Sequence, residues 1–313
     1  MAAKNLSTTA TSGVDELLFH NDTVSLCLLV NRRHRTLRVI DFRAGPTVAK
    51  RDFVIAAAKR EGVEKIFTLV ERDEVSTWRS LGLSREGSIH AFYKRSDAWI
   101  LGAVVSPQGA PHRQAPPPDR DDEDEDDEDE GAEPRSEAAV RAERTLARAR
   151  RLLKNEGAAL PAVKIAPVED GDLKKAVAAA QRTGRALTGF ERFGRDVERG
   201  AYVIKTRGGF ALHASWESQA CFGNSFLEIL AGPRADQERL ATTAAVRAAC
   251  ERLAAAGIVS TFCQSPADDV PLAAVYLGAG FRRSGVLASH MIVRGERRDA
   301  VVWSKKLTGA AEA

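Results

Sequence analysis

At 313 residues with 44% apolar composition, the chain is long enough for two domains that each bury a core. No run of eighteen apolar residues occurs, and the opening MAAKNLSTTATSGVDELLFH has neither a basic start nor an apolar middle, which argues against a membrane helix or a signal peptide and predicts a soluble, cytoplasmic protein. The formal net charge of +3 conceals an unbroken acidic run from Asp121 to Glu130, so the rest of the chain is strongly basic.

In chain order, residues 1–20 read as a flexible N-terminus. A first folded unit follows over 21–105, starting near Thr23. Within it, IDFRAGPTVAKRDFVIAAAKREGVEKIFTLV reads as strand, turn, helix and strand. Residues 106–135 carry prolines and then acids with almost nothing to enter a core, the composition of a disordered linker and a candidate contact for a protein partner. Residues 136–157 predict a helix, with Ser136 at its start, Gly157 at its end and arginines through its body. Its basic face reads as a solvated connector in preference to a nucleic-acid surface.

The second unit, over 160–308, starts with VKIAPVED as a strand and continues with two helical segments, DLKKAVAAAQRTG and GFERFGRDVERG. AYVIKTR and FALHASWESQA then form a hairpin, the glycines of TRGGFALH fitting its turn better than a nucleotide loop. LEILAGPRADQERLATTAAVRAACERLAAAGIVSTFC reads again as strand, turn, helix and strand. Cys27, Cys221, Cys250 and Cys263 form no CxxC pair and sit in apolar runs, so they are expected as buried thiols and not as a disulfide or zinc framework. His213 and His290 lack further ligands at suitable spacing and read as strand residues; no metal site is expected.

The two units share an ordered series of matches. Both turns carry Ala-Gly-Pro, with Asp41 three residues before Ala44 and Glu228 three before Ala231. WRSLGLSREG (78–87) matches YLGAGFRRSG (276–285), and DAWIL (97–101) matches DAVVW (299–303). Matches that keep their order across differing helix lengths point to two copies of one βαβαββ unit. The α/β (α+β) fold class therefore comes with a truncated first copy and a complete second one.

The element order of residues 163–307 resembles the GNAT N-acetyltransferase fold, and VYLGAGF (Val275 to Phe281) resembles that family's tyrosine-containing helix end. The two-part layout is similar to bacterial β-lysine N-acetyltransferases. This resemblance implies acetyl-CoA as acetyl donor and a small primary amine, β-lysine or a related amino acid, as acceptor. It makes Glu228 the base, acting through water, and Tyr276 the acid that protonates the leaving sulfur. Amides of Ile229, Leu230 and Ala231 would hold the oxyanion and the pantetheine arm. Trp216 and Glu217, on the preceding strand, would line the acceptor site. Trp78 stands where the second copy has Tyr276, and an indole cannot deliver a proton to a thiolate. The first copy is thus scaffold or half of a substrate cleft.

The family's pyrophosphate turn, Arg/Gln-x-x-Gly-x-Gly/Ala, falls on Asp236, Gln237, Glu238 and Arg239, followed by Leu240 and Ala241, with neither glycine present. Asp236 reads as an N-cap, and Asp236 and Glu238 oppose an anion at the helix start. Arg234 and Arg239 flank the turn, while the hydroxyls of Thr242 and Thr243 are available to donate to phosphate. Two readings stand: an N-acetyltransferase with a degenerate loop, or a catalytically silent GNAT-fold binding or regulatory protein.

Overall fold

β-Branched and leucine-rich runs supply most of the strands, and alanine-rich segments supply the longer helices. A computed structural model of the chain describes residues 8–11, 13–20, 22, 24–41, 48–105, 136–154, 159–219 and 221–307. The acidic run and the rest of 106–135 lie outside the described residues. The first half contains β1 (Thr8–Thr11), β2 (Val14–His20), β3 (Ser25–Asn31), β4 (Thr36–Asp41), α1 (Val48–Arg60), β5 (Lys65–Val70), α2 (Val75–Ser80), β6 (Ser84–Ile89) and β7 (Ala98–Val104). After α3 (Glu137–Lys154), the second half contains β8 (Val163–Pro167), α4 (Asp170–Arg182), β9 (Glu198–Thr206), β10 (Ala211–Gln219) and β11 (Asn224–Ile229). It ends with α5 (Asp236–Ala255), β12 (Ser260–Pro266), α6 (Val270–Gly278), β13 (Arg282–Val293) and β14 (Glu296–Lys306).

All fourteen strands join one sheet in the order β1-β2-β3-β4-β5-β7-β6-β13-β14-β12-β11-β10-β9-β8. The order 2-3-4-5-7-6 from one end matches 9-10-11-12-14-13 from the other. Two pairs are parallel, β4 with β5 and β11 with β12, and each is bridged by the crossover helix such a pair requires, α1 and α5. The halves meet where β6 pairs with β13 through Gly87 and Gly285. A Cβ on Gly87 would stand 2.5 Å from Gly285 Cα, so the seam closes only because neither residue has a side chain.

Among the described residues, three large cores follow from this layout. Leu37, Val39 and Ile66 pack with Val54 and Ala57 of α1 in the first half. Leu227, Ile229 and Cys263 pack with α5, α6 and α3 in the second. The third core is shared: Ile89, Phe92 and Ile100 of the first half meet Phe226, Phe262 and Met291 of the second. Fragments of both halves thus bury each other's apolar faces.

Several expectations are corrected. β2 occupies residues expected to be flexible, pairing with β3 from Val14↔Asn31 to His20↔Ser25 and burying Val14 and Leu17; the unit begins before Thr23. GFERFGRDVERG is not a helix. Its Phe193 and Gly194 amides donate to the Glu217 carboxylate at 2.9 and 2.8 Å, and Phe190 and Asp196 take positive φ, so the i−4 ladder cannot form. α3 is no solvated connector: Ala138, Ala142, Thr145, Leu146 and Ala149 are buried, and Arg283 and Asp299 anchor its Glu143 and Arg141 at 2.9 and 3.3 Å. Cys27, Cys250 and Cys263 are buried as expected, but Cys221 is exposed in the turn before β11. His213 and His290 lie on β10 and β13, and the glycines of TRGGFALH form the β9–β10 turn.

Candidate active site

The parallel ladder between β11 and β12 stops at Phe226↔Phe262. Beyond it the strands separate, and Glu228 is the second residue past the last pair. The Leu230 amide is spent on His213 O at 2.9 Å, so it is not available to an oxyanion. Amides alternate sides along a strand, which turns that of Ile229, the last residue of β11, toward the opened β12 side.

On one side of this opening lies a partly open pocket of about 60 Å³ lined by both halves: Asn31, His34, Arg38 and Phe67 from the first, Thr188, Glu191, Phe193, Glu228 and His290 from the second. Glu228 is half-buried there. Ser215 Oγ donates to it at 3.5 Å, and the Thr188 hydroxyl also supports it. Burial, reinforced by the neighbouring Glu191 and Glu217 carboxylates, holds the Glu228 carboxyl well above the usual carboxylate range. His34 accepts from the Ile292 amide through Nδ1 at 3.0 Å, which makes its ring a neutral imidazole; burial depresses it to about 4.

The expected acceptor residues are placed differently. Glu217 is buried and engaged by the Phe193 and Gly194 amides and by Arg199 Nε at 2.9 Å. It organises the pocket wall and does not present a free carboxylate. Trp216 alternates to the opposite sheet face, where it covers Gly200 so closely that a Cβ there would meet the indole at 2.7 Å. It does not line the pocket.

Tyr276 is 1% exposed, with its ring 5.5 Å from Phe281 and 5.6 Å from Trp303. Its hydroxyl shares a hydrogen bond with the thiol of Cys263, the first β12 residue past the ladder. Burial pushes the phenol well above its usual range. The tyrosine therefore holds its proton firmly beside the point where the strands part.

On the other side of the opening lies a groove of about 400 Å³ lined by the Gly232–Arg234 turn, the start of α6, and Arg185, Arg294 and Arg298. Asp269 caps α6, accepting from Leu272 N at 2.9 Å. At α5 the expected cap is displaced: the N-cap is Ala235, no side chain caps it, and Asp236 is the first helical residue. Glu238 reaches back in front of the helix, accepting from Arg234 N at 2.9 Å and from Arg185 Nη2 at 3.3 Å. A carboxylate of the chain itself thus sits at the positive helix end. Arg239 is buried beneath the turn, paired with Asp236 at 3.3 Å. Thr242 and Thr243 spend their protons on the carbonyls of Glu238 and Arg239 at 2.7 and 2.9 Å. Ala241 is buried and Leu240 partly so, leaving Arg234 as the exposed cation of the turn.

The corresponding opening in the first half is plugged. β4 and β5 part after Val39↔Thr68, and there Lys50 and Asp41 form a buried ion pair. Lys50 Nζ also stands 5.7 Å over the Trp78 ring. Among the described residues no cluster of side chains fits a metal ion.

No family model matches the chain, and no curated protein matches it. Among solved structures, the ribosomal-protein-S18-alanine N-acetyltransferase of Escherichia coli aligns at 18% identity and TM-score 0.37, over 48% of this chain and 97% of that one. Spermidine N-acetyltransferase of Vibrio cholerae, in complex with CoA and spermine, aligns at 11% identity and TM-score 0.38, over 46% and 95%.

Proposed function

We propose that the chain is an acetyl-CoA-dependent N-acetyltransferase of the GNAT type that acts on a small primary amine, β-lysine or a related amino acid, in the cytoplasm. The second half is the catalytic unit and the first a truncated copy that forms one wall of its acceptor pocket. The carrying observation is the position of Glu228: a desolvated carboxylate where two parallel strands part, with a partly open pocket on one side and an arginine-lined groove on the other.

The amine enters the pocket and loses a proton to Glu228, directly or through one water, once that carboxyl has itself ionised. The nitrogen lone pair attacks the thioester carbon, and the oxyanion forms toward the Ile229 amide. When the carbon–sulfur bond breaks and the carbonyl re-forms, the thiolate takes the Tyr276 proton, the nitrogen gives up its second proton to solvent to leave the amide, and the tyrosinate is reprotonated from solvent. The pantetheine and phosphates lie in the groove, with Arg234 and Arg294 as cations for the phosphates; Arg298 is already held by Asp268 and Glu296.

A second reading, a silent binding protein, is favoured by Glu238, whose carboxylate stands at the α5 N-terminus where a pyrophosphate would otherwise bind. Calorimetric titration with acetyl-CoA at low and moderate salt separates the two. Saturable one-to-one binding followed by acetylation of a lysine-like amine is expected. No binding at millimolar donor would leave the silent reading.

A further inference from the structure

Arg38 projects from β4 of the first half into the pocket that Glu228 lines from the second. It is 8% exposed, and its Nη1 donates to the Phe193 carbonyl at 2.7 Å. The guanidinium carbon lies 4.2 Å from the Phe193 ring centroid. Its Nε has no hydrogen-bond partner, and among the described residues no carboxylate stands within ion-pair distance of it. Glu217, a nearby carboxylate, is already held by Arg199 and two amides. Burial alone pulls the guanidinium down to about 10.

A cation taken out of water without a counter-ion is costly, and an arginine with a free edge receives a carboxylate through two parallel N–H bonds. The facing wall carries the carboxyl groups of Glu191 and Glu228. Glu191 is committed to the Thr188 hydroxyl and the Gly189 amide at 3.1 and 2.9 Å, with Arg33 at 3.8 Å. An arginine on one wall and carboxyl groups on the other suit one small molecule with an anionic and an amino group.

We propose that Arg38, supplied by the first half, is the specificity-determining residue of the pocket and receives the carboxylate of an amine-bearing ligand, so that amino acids are selected over polyamines. In naming that ligand an acetyl acceptor, the proposal rests on the transferase reading; the binding itself does not.

The test is calorimetric titration of the full chain, without acetyl-CoA, using lysine, β-lysine and cadaverine, which is lysine without its carboxylate. At least one carboxylated amine is expected to bind about tenfold more tightly than cadaverine, the scale of one charge-assisted pair. Arg38→Gln should reduce that preference to about twofold or less, and Arg38→Lys should restore part of it. Equal binding of cadaverine, a preference that survives Arg38→Gln in folded protein, or no binding by either carboxylated amine overturns the proposal. If the preference holds but no acetyl group is transferred, the transferase reading falls and this one stands. If transfer to lysine proceeds with a KM unchanged by Arg38→Gln, the reverse is true.

Discussion

Burial and the neighbouring Glu191 and Glu217 carboxylates make the charge of Glu228 a cost to the fold. Because its folded-state pKa is raised, the proton it holds contributes stability in full below the unfolded value, about 4.3, and that contribution is lost as pH climbs through the folded value. Glu228→Gln should therefore leave the melting temperature at pH 8 unchanged or higher, while lowering kcat by about 10²- to 10⁴-fold. Calorimetry at pH 5 and 8, beside a transfer assay, reads both; a less stable variant at pH 8 contradicts the charge cost. A base must be ionised, so the wild-type rate should rise with pH through a value above the ordinary carboxylate range. Tyr276→Phe removes the hydrogen bond to Cys263, at about 1 kcal/mol. It should depress kcat while sparing the KM for acetyl-CoA, and steady-state kinetics with an unchanged kcat would take the tyrosine out of the mechanism. The positions of both residues, at a strand end and a helix end, were legible from the sequence. Arg38 was not, since nothing local distinguishes an arginine on a strand until the other half closes over it.

On the transferase reading, the turn into α5 decides how the donor would bind. Glu238 stands at the third helical position and gives its carboxylate to Arg234 N and Arg185, so an incoming pyrophosphate meets a negative charge and a committed arginine. Glu238→Gln keeps the side chain's shape and its acceptor oxygen while removing the charge. Acetyl-CoA should bind about 2- to 5-fold more tightly to this variant, the scale of one charge at a helix end, with a stability loss below about 1 kcal/mol. Titration of the variant beside wild type measures it, and an unaltered affinity would mean that phosphates bind away from α5. The missing glycines were visible in the sequence, but the carboxylate's route was not: Asp236 has the residue type of a cap, yet Ala235 takes the position. The same limit explains GFERFGRDVERG, whose amides are claimed by a glutamate on another strand. In α3 the arginine count hid a stripe of alanines and Leu146 that faces the core.

At the scale of the molecule, the seam makes one pocket out of two halves. Gly87 and Gly285 end the matched segments WRSLGLSREG and YLGAGFRRSG, and each pairs with the other, the self-complementary contact expected of a two-fold relation between copies. The matched segments were readable in the sequence; that the two halves share a continuous sheet was not, because pairing partners in β6 and β13 leave no local signal. Other ties cross the same boundary: Asn224 Nδ2 donates to Phe92 O at 2.6 Å, Arg297 Nη2 to His34 O at 2.9 Å, and Ala288 N to Glu86 at 3.2 Å. These can flex, but the glycine contact cannot, since the atom a Cβ would strike is backbone. Gly87→Ala should therefore cost about 1–3 kcal/mol, roughly 2–4 °C of melting temperature per kcal/mol in a chain of this size. Acceptor binding should weaken with it, because displacing β6 from β13 shifts Arg38 relative to Glu228. Gly171→Ala supplies the control: it lies in α4 with nothing within 4 Å of an added Cβ, so helix propensity should leave that variant as stable as wild type or slightly more so. Calorimetry on the two proteins side by side isolates the seam from the general effect of adding a methyl group, and equal melting temperatures would mean that β6 and β13 do not meet as closely as Gly87 and Gly285 require.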